Sequence, residues 1–413
     1  MRKQSGRRLK LKSGPNEEVA PLTLLVDSLK DRLNSASVCL SWSWGGLEKV
    51  AVQDAMDLSS LGFKTRFLCI RESPVYQALV GSKNPMEVIP VDFAPKNYFD
   101  FKMRRVIHQL VDDGTNLIHT HQTSILGSIS PWLMNRPRVS LVATRHIMNN
   151  HNKKDFFHRA IYRRLDALIV MSETLRRNVL ETHAIREKKV KVIHLGLDFN
   201  VFDPVHVQGQ TQRNKWGISS NTTLIGLVGR IDPAKGQATF IKSAAGLLKS
   251  AKLNENLKFI IIGEETLGAS GQYLEELKQM IAQFRIGDSI LFSGYQDNVP
   301  EIMKALDIFV MPSRQEAFGL VAIEAMSMEC PIIISRGGSA EEIVGQEEFG
   351  LLVRPEDAFD LQQKIRYLLD YPEERTKMAR RARQNVLAQY DKNKRIAKTL
   401  SLYERSLRLH RIV

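Results

Sequence analysis

Two cations in the second half of the chain have the types and spacing that could hold a diphosphate. Arg230 and Lys235 lie five residues apart in the loop that Gly229 opens. A guanidinium binds phosphate oxygens bidentately, and an ammonium adds a compact point charge. Because charge develops on those oxygens when a phosphate ester leaves, fixed cations would lower the barrier to that step. Taken alone, the segment also fits a surface loop with solvated charges.

Two carboxylates follow the predicted strand at 308–311. Glu316 is predicted in a loop and Glu324 about two turns into the helix behind it, so both can face one crevice and accept hydrogen bonds from sugar hydroxyls. The helix starts at a tight turn, and its first amides lack intrahelical partners and can donate to a ligand; they belong to Phe318, Gly319 and Leu320. Alternatively, Glu316 is an anion stabilised by the helix dipole and Glu324 a solvated helix residue.

The first half contributes a glycine pair and three histidines. Gly45 and Gly46 permit close approach of an anion at a helix N-terminus, although a plain tight turn explains them equally well. His119 and His121 end one predicted strand and His146 follows another; His119 also fits a structural histidine. Because no carboxylate or thiol stands at ligand spacing and the sequence holds no Asp-x-Asp, no metal site is predicted.

These residues stand behind short apolar runs that alternate with helical patterns. Such runs indicate parallel strands covered on both faces, and ligands of such sheets bind beyond the carboxyl ends of the strands. Strands are predicted at 38–40, 65–70, 117–119, 139–144, 167–171 and 190–194, and then at 224–228, 258–262, 289–292, 308–311 and 331–334.

The alternation stops at a polar segment near residue 205 and then starts again. The sequence therefore predicts an α/β protein with two doubly wound domains. Its predicted parts are a basic, amphipathic N-terminal extension (1–36), an N-terminal domain (37–203), a C-terminal domain (204–390) and a C-terminal helix (391–413).

Composition limits the class of protein and of partner. The 413 residues are 43% hydrophobic and 25% charged, which excludes a disordered or collagenous chain. Apolar runs are too short for a membrane span or a signal peptide, and the three cysteines fit reduced, buried thiols, so a cytoplasmic protein is expected. The net charge is +14, mostly in the first half, which favours an anionic partner there.

The order of these motifs resembles glycosyltransferase family 4, whose members are retaining, nucleotide-sugar-dependent enzymes of the GT-B fold. The resemblance covers about Val38 to Tyr390 and is densest in 224–356. It implies two Rossmann-like domains that face each other across a cleft, with the C-terminal helix returning to the N-terminal domain. One departure is Glu329, which stands two residues before Pro331 where the family often has glycine.

The resemblance also implies roles for the residues. Arg230 and Lys235 resemble the clamp on the donor diphosphate, Glu324 the group that binds the ribose hydroxyls, and Glu316 the group that holds the transferred sugar. Gly45 and Gly46 resemble the N-terminal backbone contact to phosphate. His121 matches a histidine near the reacting sugar, and His119 and His146 are predicted on the acceptor side. The leaving phosphate helps deprotonate the acceptor, and no cofactor or metal is expected.

The implied partners are a UDP- or GDP-sugar and an envelope glycan or glycolipid, as in lipopolysaccharide or exopolysaccharide synthesis. Basic and aromatic residues of the first half, around Lys102–Arg105 and Lys153–Arg164, could lie on the anionic inner face of the cytoplasmic membrane, or form a solvated face. Two alternatives stay open: another GT-B enzyme such as a nucleotide-sugar epimerase, and a basic nucleic-acid-binding protein. The latter lacks a recognisable nucleic-acid-binding motif, so nucleic acid is not the expected partner.

Overall fold

Short apolar runs form the strands of two parallel sheets, as the sequence predicts. The structure, a computed structural model, describes residues 19–82, 86–95, 98–250, 256–265, 271–314 and 316–410. The basic arm 1–18 and residues 411–413 of the predicted extension and helix therefore lie outside the described residues. Central strands such as β5 and β12, defined below, are buried at every position, which is typical of parallel strands covered by helices.

The first sheet carries the N-terminal half. Within the described residues its order is β3-β2-β1-β4-β5-β6-β7, and all neighbours are parallel. The strands are β1 (Asn34–Cys39), β2 (Lys64–Ile70), β3 (Glu87–Val91), β4 (Leu117–Thr120), β5 (Ser140–Arg145), β6 (Ala167–Val170) and β7 (Val190–Val192). The helices are α1 (Leu22–Leu29), α2 (Gly46–Ser60), α3 (Pro74–Val80), α4 (Phe101–Asp112), α5 (Leu126–Ile129), α6 (Phe156–Arg164) and α7 (Glu173–Thr182).

The second sheet carries the C-terminal half. Its order over the described residues is β10-β9-β8-β11-β12-β13, again parallel throughout. The strands are β8 (Thr223–Val228), β9 (Leu257–Ile262), β10 (Ile290–Phe292), β11 (Ile308–Met311), β12 (Ile332–Ser335) and β13 (Leu351–Val353). The helices are α8 (Gly209–Lys215), α9 (Gln237–Lys249), α10 (Gln272–Phe284), α11 (Val299–Ala305), α12 (Leu320–Ser327), α13 (Ala340–Val344), α14 (Ala358–Asp370), α15 (Pro372–Gln389) and α16 (Lys392–Leu409).

Two strands were absent from the prediction, and both lie at sheet edges. Strand β3 is mostly half-buried and contains Pro90, which an edge strand tolerates because it lacks a neighbour on one side. Strand β13 has only three residues. Neither gives the long apolar run by which the central strands are recognised.

The predicted N-terminal extension differs from the structure. Strand β1 begins at Asn34, before the predicted boundary at residue 36, and α1 is not a separate appendage. Leu25 and Leu29 of α1 are buried in one apolar cluster with Leu400 and Tyr403 of α16. The amphipathic pattern of this segment is thus the buried face of a helix of the N-terminal domain.

The C-terminal helix returns to the N-terminal domain, which confirms this part of the predicted fold. The chain crosses where Leu197 donates to the Tyr390 carbonyl and Lys392 donates back to the Leu197 carbonyl. Helix α16 then packs against α1, and the ion pairs Lys392–Asp57 and Arg395–Asp54 join it to α2.

The three cysteines are free and buried, as predicted. Behind α12, Glu329 adopts the left-handed conformation (φ 55°) at the place where the family often has glycine, so the helix end keeps its shape without that residue. Among the described residues no helix is long and apolar enough to cross a membrane.

Candidate active site

The loops behind β8 and β11 bring two predicted residues into direct contact. Lys235 ends a single 3-10 turn, and its Nζ donates to Oε2 of Glu316 at 2.8 Å, across 81 positions of sequence. Both side chains remain partly exposed, so the pair is open to a ligand. A cation and a carboxylate that face the same space can bind, respectively, a phosphate and a sugar hydroxyl.

Arg230 lies on the same loop, and most of its hydrogen-bonding capacity is free of partners from the described residues. Its Nη2 donates to Asp232 at 2.9 Å, and half of the side chain is exposed. A guanidinium has five N–H donors, so this single ion pair leaves a fork for a second anion. The loop is therefore able to bind an anion in addition to Asp232.

Two glycines let the loops approach each other and turn. Gly236 has φ 79°, and a Cβ there would stand 2.1 Å from the carbonyl oxygen of Pro312, so no other residue fits without movement. Gly319 has φ 78° and directly precedes α12, which confirms the predicted tight turn before that helix. The side chain of Phe318 faces inward and stacks on His194, so only its backbone can serve a ligand.

Glu324 lies partly buried on α12, and burial raises the pKa of its carboxyl to about 7. A nearby cation, Lys49, acts in the opposite direction. Lys49 belongs to α2 of the other domain, donates to the hydroxyl of Tyr295 at 3.3 Å and lies 5.4 Å from the centre of its ring. Sequence reasoning missed both residues, because nothing local shows that they meet across the cleft.

Gly45 and Gly46 lie at the start of α2, and they differ in how free each is to contact a ligand. The amide of Gly45 donates to Oε2 of Glu48 at 2.9 Å, and Ser41 donates to the other carboxylate oxygen. The Gly45 amide is therefore occupied within the loop. Gly46 has open space where a side chain would stand, which leaves it as the better candidate for contact with an anion.

His119 is fully bonded inside the N-terminal domain. Its Nδ1 lies 2.7 Å from the hydroxyl of Tyr403, and its Nε2 lies 2.8 Å from Oγ1 of Thr144. Both ring nitrogens are thus used by the protein, which favours the structural alternative over the predicted acceptor-side role. Tyr403 belongs to α16, so its partnership with His119 was not visible in the sequence.

His121 and His146 lie beside His119 but lack such partners. The ring of His121 is 4.3 Å from that of His119 and 5.7 Å from that of His146, centre to centre. Within the described residues, neither nitrogen of His121 nor Nε2 of His146 has a hydrogen-bond partner, although all three are buried. Buried polar atoms are normally paired, so these nitrogens indicate a partner that the described polypeptide does not supply.

The three histidines are held in their neutral form. Burial, the largest cause, lowers the pKa of His119 and His121 well below the ordinary value and that of His146 to about 4. Arg395 on α16 lowers the pKa of each further. At neutral pH the cluster can therefore donate and accept hydrogen bonds but carries no charge.

The two domains also touch beside the Glu316 loop. Ser172 donates to the carbonyl of Ala317 at 3.1 Å, and Glu342 of α13 accepts from the amide of Glu173 at 3.0 Å. Glu342 thereby lies at the N-terminus of α7, where a negative charge is favourable. Nothing local in the sequence indicates that Glu342 meets α7.

The sequence matches two families over most of its length. Residues 44–201 match the family described as Glycosyltransferase Family 4, and residues 208–385 match Glycosyl transferases group 1. A lipopolysaccharide core biosynthesis mannosyltransferase of Rhizobium meliloti is 30% identical over 62% of this chain and 69% of its own. A UDP-Gal:alpha-D-GlcNAc-diphosphoundecaprenol alpha-1,3-galactosyltransferase of Escherichia coli is 24% identical over 91% and 98%.

Solved structures agree on the fold. A glycosyltransferase from Rickettsia africae superposes with a TM-score of 0.81 at 20% identity, over 91% of this chain and 99% of its own. The Anabaena protein HepE, in complex with UDP and glucose, gives 0.76 at 21% identity, over 89% and 99%. The two family matches cover both halves of the chain, each half forms a parallel sheet, and the C-terminal helix returns to the N-terminal domain. The chain therefore belongs to glycosyltransferase family 4 and has the GT-B fold.

Proposed function

We propose that the protein is a retaining enzyme that moves a hexose from UDP- or GDP-sugar to a hydroxyl of an envelope glycan or glycolipid. The observation that carries this proposal is the contact of Lys235 with Glu316 beside the half-exposed Arg230. It gives one place where a diphosphate and the sugar attached to it can be bound together.

In the proposed reaction the bond between the anomeric carbon and the diphosphate oxygen breaks, and its electron pair leaves with the diphosphate. Arg230 and Lys235 stabilise that charge, so the step needs cations and not a metal ion. The acceptor oxygen bonds to the anomeric carbon on the same face, and its proton passes to a leaving phosphate oxygen. Glu324 holds the ribose, and Glu316 holds the sugar.

The relatives support the substrate classes. One acts in lipopolysaccharide core synthesis and another, by its name, uses UDP-galactose and a diphosphoundecaprenol-linked acceptor. HepE binds UDP and glucose in a similar fold. A UDP-hexose and a lipid-linked glycan are therefore the first donor and acceptor to try.

A thermal-shift screen against UDP-, GDP- and ADP-sugars, with and without a chelator, tests the donor. The matching donor should raise the melting temperature by mass action, equally in both conditions. Glu324→Ala should then lose turnover, whereas Glu275→Ala, on the exposed face of α10, should keep it. Unchanged turnover in Glu324→Ala would contradict the assignment, inversion at the anomeric carbon would exclude retention, and an isomerised donor without acceptor would favour an epimerase.

We further propose that the N-terminal domain rests on the anionic cytoplasmic face of a membrane. Phe156 and Phe157 of α6 and Phe101 of α4 are exposed, Phe156 at 80%. Tyr98, just before α4, packs edge-on against His158 of α6, which joins the two helices into one aromatic and basic surface. Two residues of the predicted surface do not belong to it, because Tyr162 is buried and Arg164 bonds to the Leu133 and Val139 carbonyls.

Sedimentation with anionic vesicles tests this surface. Replacing Phe156 and Phe157 together by serine should weaken binding to phosphatidylglycerol vesicles and leave donor binding intact. Phe359→Ser is the matched control, because Phe359 is an equally exposed phenylalanine of the other domain. Equal loss in both variants, or no vesicle binding by the unmodified protein, would contradict the proposal.

A further inference from the structure

The buried histidine cluster lies against an ion pair that joins α2 to α16. Both oxygens of Asp54 accept hydrogen bonds from the guanidinium of Arg395, one at 2.6 Å. Both side chains are nearly buried. Oδ2 of Asp54 also lies 3.9 Å from Nε2 of His121, so the carboxylate has two candidate partners and Arg395 holds it.

The groups that face His121 come from four elements. They are Asp54 of α2, His119 of β4, His146 behind β5 and Arg395 of α16. Of these, Asp54 alone is an anion. An unpaired carboxylate this close to an imidazole favours the imidazolium, because it stabilises the positive charge. A guanidinium on the same carboxylate cancels that effect.

We propose that Arg395 is a positioning residue that keeps His121 a neutral imidazole by occupying both oxygens of Asp54. The two ring nitrogens of His121, which have no partner in the described part of the chain, then remain available, one to donate and one to accept, for a sugar hydroxyl or for a water that bridges to it. A protonated ring could only donate and would turn toward Asp54. The role of His121 toward a sugar rests on the proposed function; the charge state does not.

This arrangement assigns a second role to the helix that returns from the C-terminal domain. Besides burying apolar residues against α1, α16 sets the hydrogen-bonding state of the cluster, since Tyr403 occupies His119 and Arg395 occupies Asp54. The two contacts stand two turns apart on one helix. Displacement of α16 would release Asp54 to His121.

Histidine-detected NMR of the full-length protein tests the charge state without any substrate. The His121 ring signals, assigned with His121→Gln, should stay those of a neutral ring from about pH 8 to about pH 5 in the unmodified protein. In Arg395→Met the unpaired Asp54 carboxylate should raise the pKa of the ring, so that it becomes protonated within this pH range. Arg395→Lys retains a cation and should restore most of the neutral behaviour.

Two variants separate this role from simple anchoring. Lys392→Met removes the neighbouring ion pair of α16 with Asp57 but leaves the Asp54–Arg395 pair in place, and should leave the titration unchanged. The double variant Asp54→Asn with Arg395→Met lacks both charges and should return His121 to the neutral form, which also covers the case that Arg395→Met folds poorly. An unchanged His121 titration in folded Arg395→Met, or a titrating ring in the double variant, overturns the proposal.

Transfer assays then connect the charge state to the reaction. In Arg395→Met, kcat/KM should show a second acid limb with the midpoint seen by NMR, in addition to any limb from Glu324 that all forms share, and the double variant should lose this second limb. If the NMR result holds but no nucleotide sugar is used by any form, the proposed function fails and the electrostatic assignment stands. If transfer occurs but the midpoint of its acid limb differs from the pH at which the His121 ring titrates, His121 takes no part in the transfer.

Discussion

The loops of the C-terminal domain and the histidine cluster of the N-terminal domain differ in how they handle charge. Arg230, Lys235 and Glu316 are partly exposed, and each pairs with another of the three or with a neighbour. His119 and His121 are buried, His146 is half-buried, and burial holds the rings neutral, while the pair Asp54–Arg395 lies beside His121.

The difference follows from what each region is proposed to bind. A diphosphate is a mobile, strongly hydrated anion, so its site keeps cations near water and ready to exchange partners. A neutral hydroxyl is recognised by donors and acceptors whose geometry is fixed in advance by packing. Mutations should therefore affect activity without stability in the first region and both in the second.

The largest effect on activity is expected in the exposed loops of the C-terminal domain. Arg230→Ala should lower kcat/KM for transfer by about 10²- to 10³-fold, because it removes a charge that stabilises the leaving diphosphate. Urea unfolding should be unchanged, since the side chain is half exposed. Lys278→Ala, which breaks an exposed ion pair on α10, is the control and should retain full activity.

In the histidine cluster, mutation should change the stability of the fold and leave donor affinity unchanged. Tyr403→Phe leaves Nδ1 of His119 without its partner, at a cost of about 1–3 kcal/mol in the free energy of unfolding. Urea denaturation measures this loss, and the donor dissociation constant should stay constant. The exposed Tyr367→Phe should show no loss; an equal loss there would remove the contrast between the two regions.

Glu324 combines burial with a place in the cleft, so its pH dependence sharpens the comparison. Its pKa of about 7 means that the carboxylate, the better acceptor for ribose hydroxyls, is lost as the pH falls below that value. Donor affinity, measured by calorimetry, should drop by up to about tenfold per pH unit on that side. In Glu324→Gln the affinity should be lower and independent of pH over this range; a persisting acid limb would assign the titration to another group.

The smallest effect is expected from a change of Lys49, the residue of the N-terminal domain that acts on the Glu324 carboxyl. Lys49 lowers the pKa of Glu324, so Lys49→Met should move the midpoint of the acid limb upward. Because Lys49 is exposed and screened by water, the change should be less than about one pH unit. A midpoint that stays in place, measured in the same calorimetric series, would show that the Lys49–Tyr295 contact does not reach the donor site.

The sequence alone determined the alternation of strands and helices, the two sheets and the loops that carry Arg230, Lys235, Glu316 and Glu324. It could do so because apolar runs, glycines and their neighbours act within a few residues of one another. Even there it missed β3 and β13, whose edge positions need no long apolar run.

Tertiary structure decided which side chains meet across long stretches of chain. The contacts of Lys235 with Glu316, of Lys49 with Tyr295 and of Arg395 with Asp54 join residues 81, 246 and 341 positions apart. It also decided that, among the residues that the structure describes, His119 has hydrogen-bond partners while His121 has none. The type of a residue sets how many hydrogen bonds it can donate and accept. Whether the protein uses that capacity depends on which distant element packs against the residue.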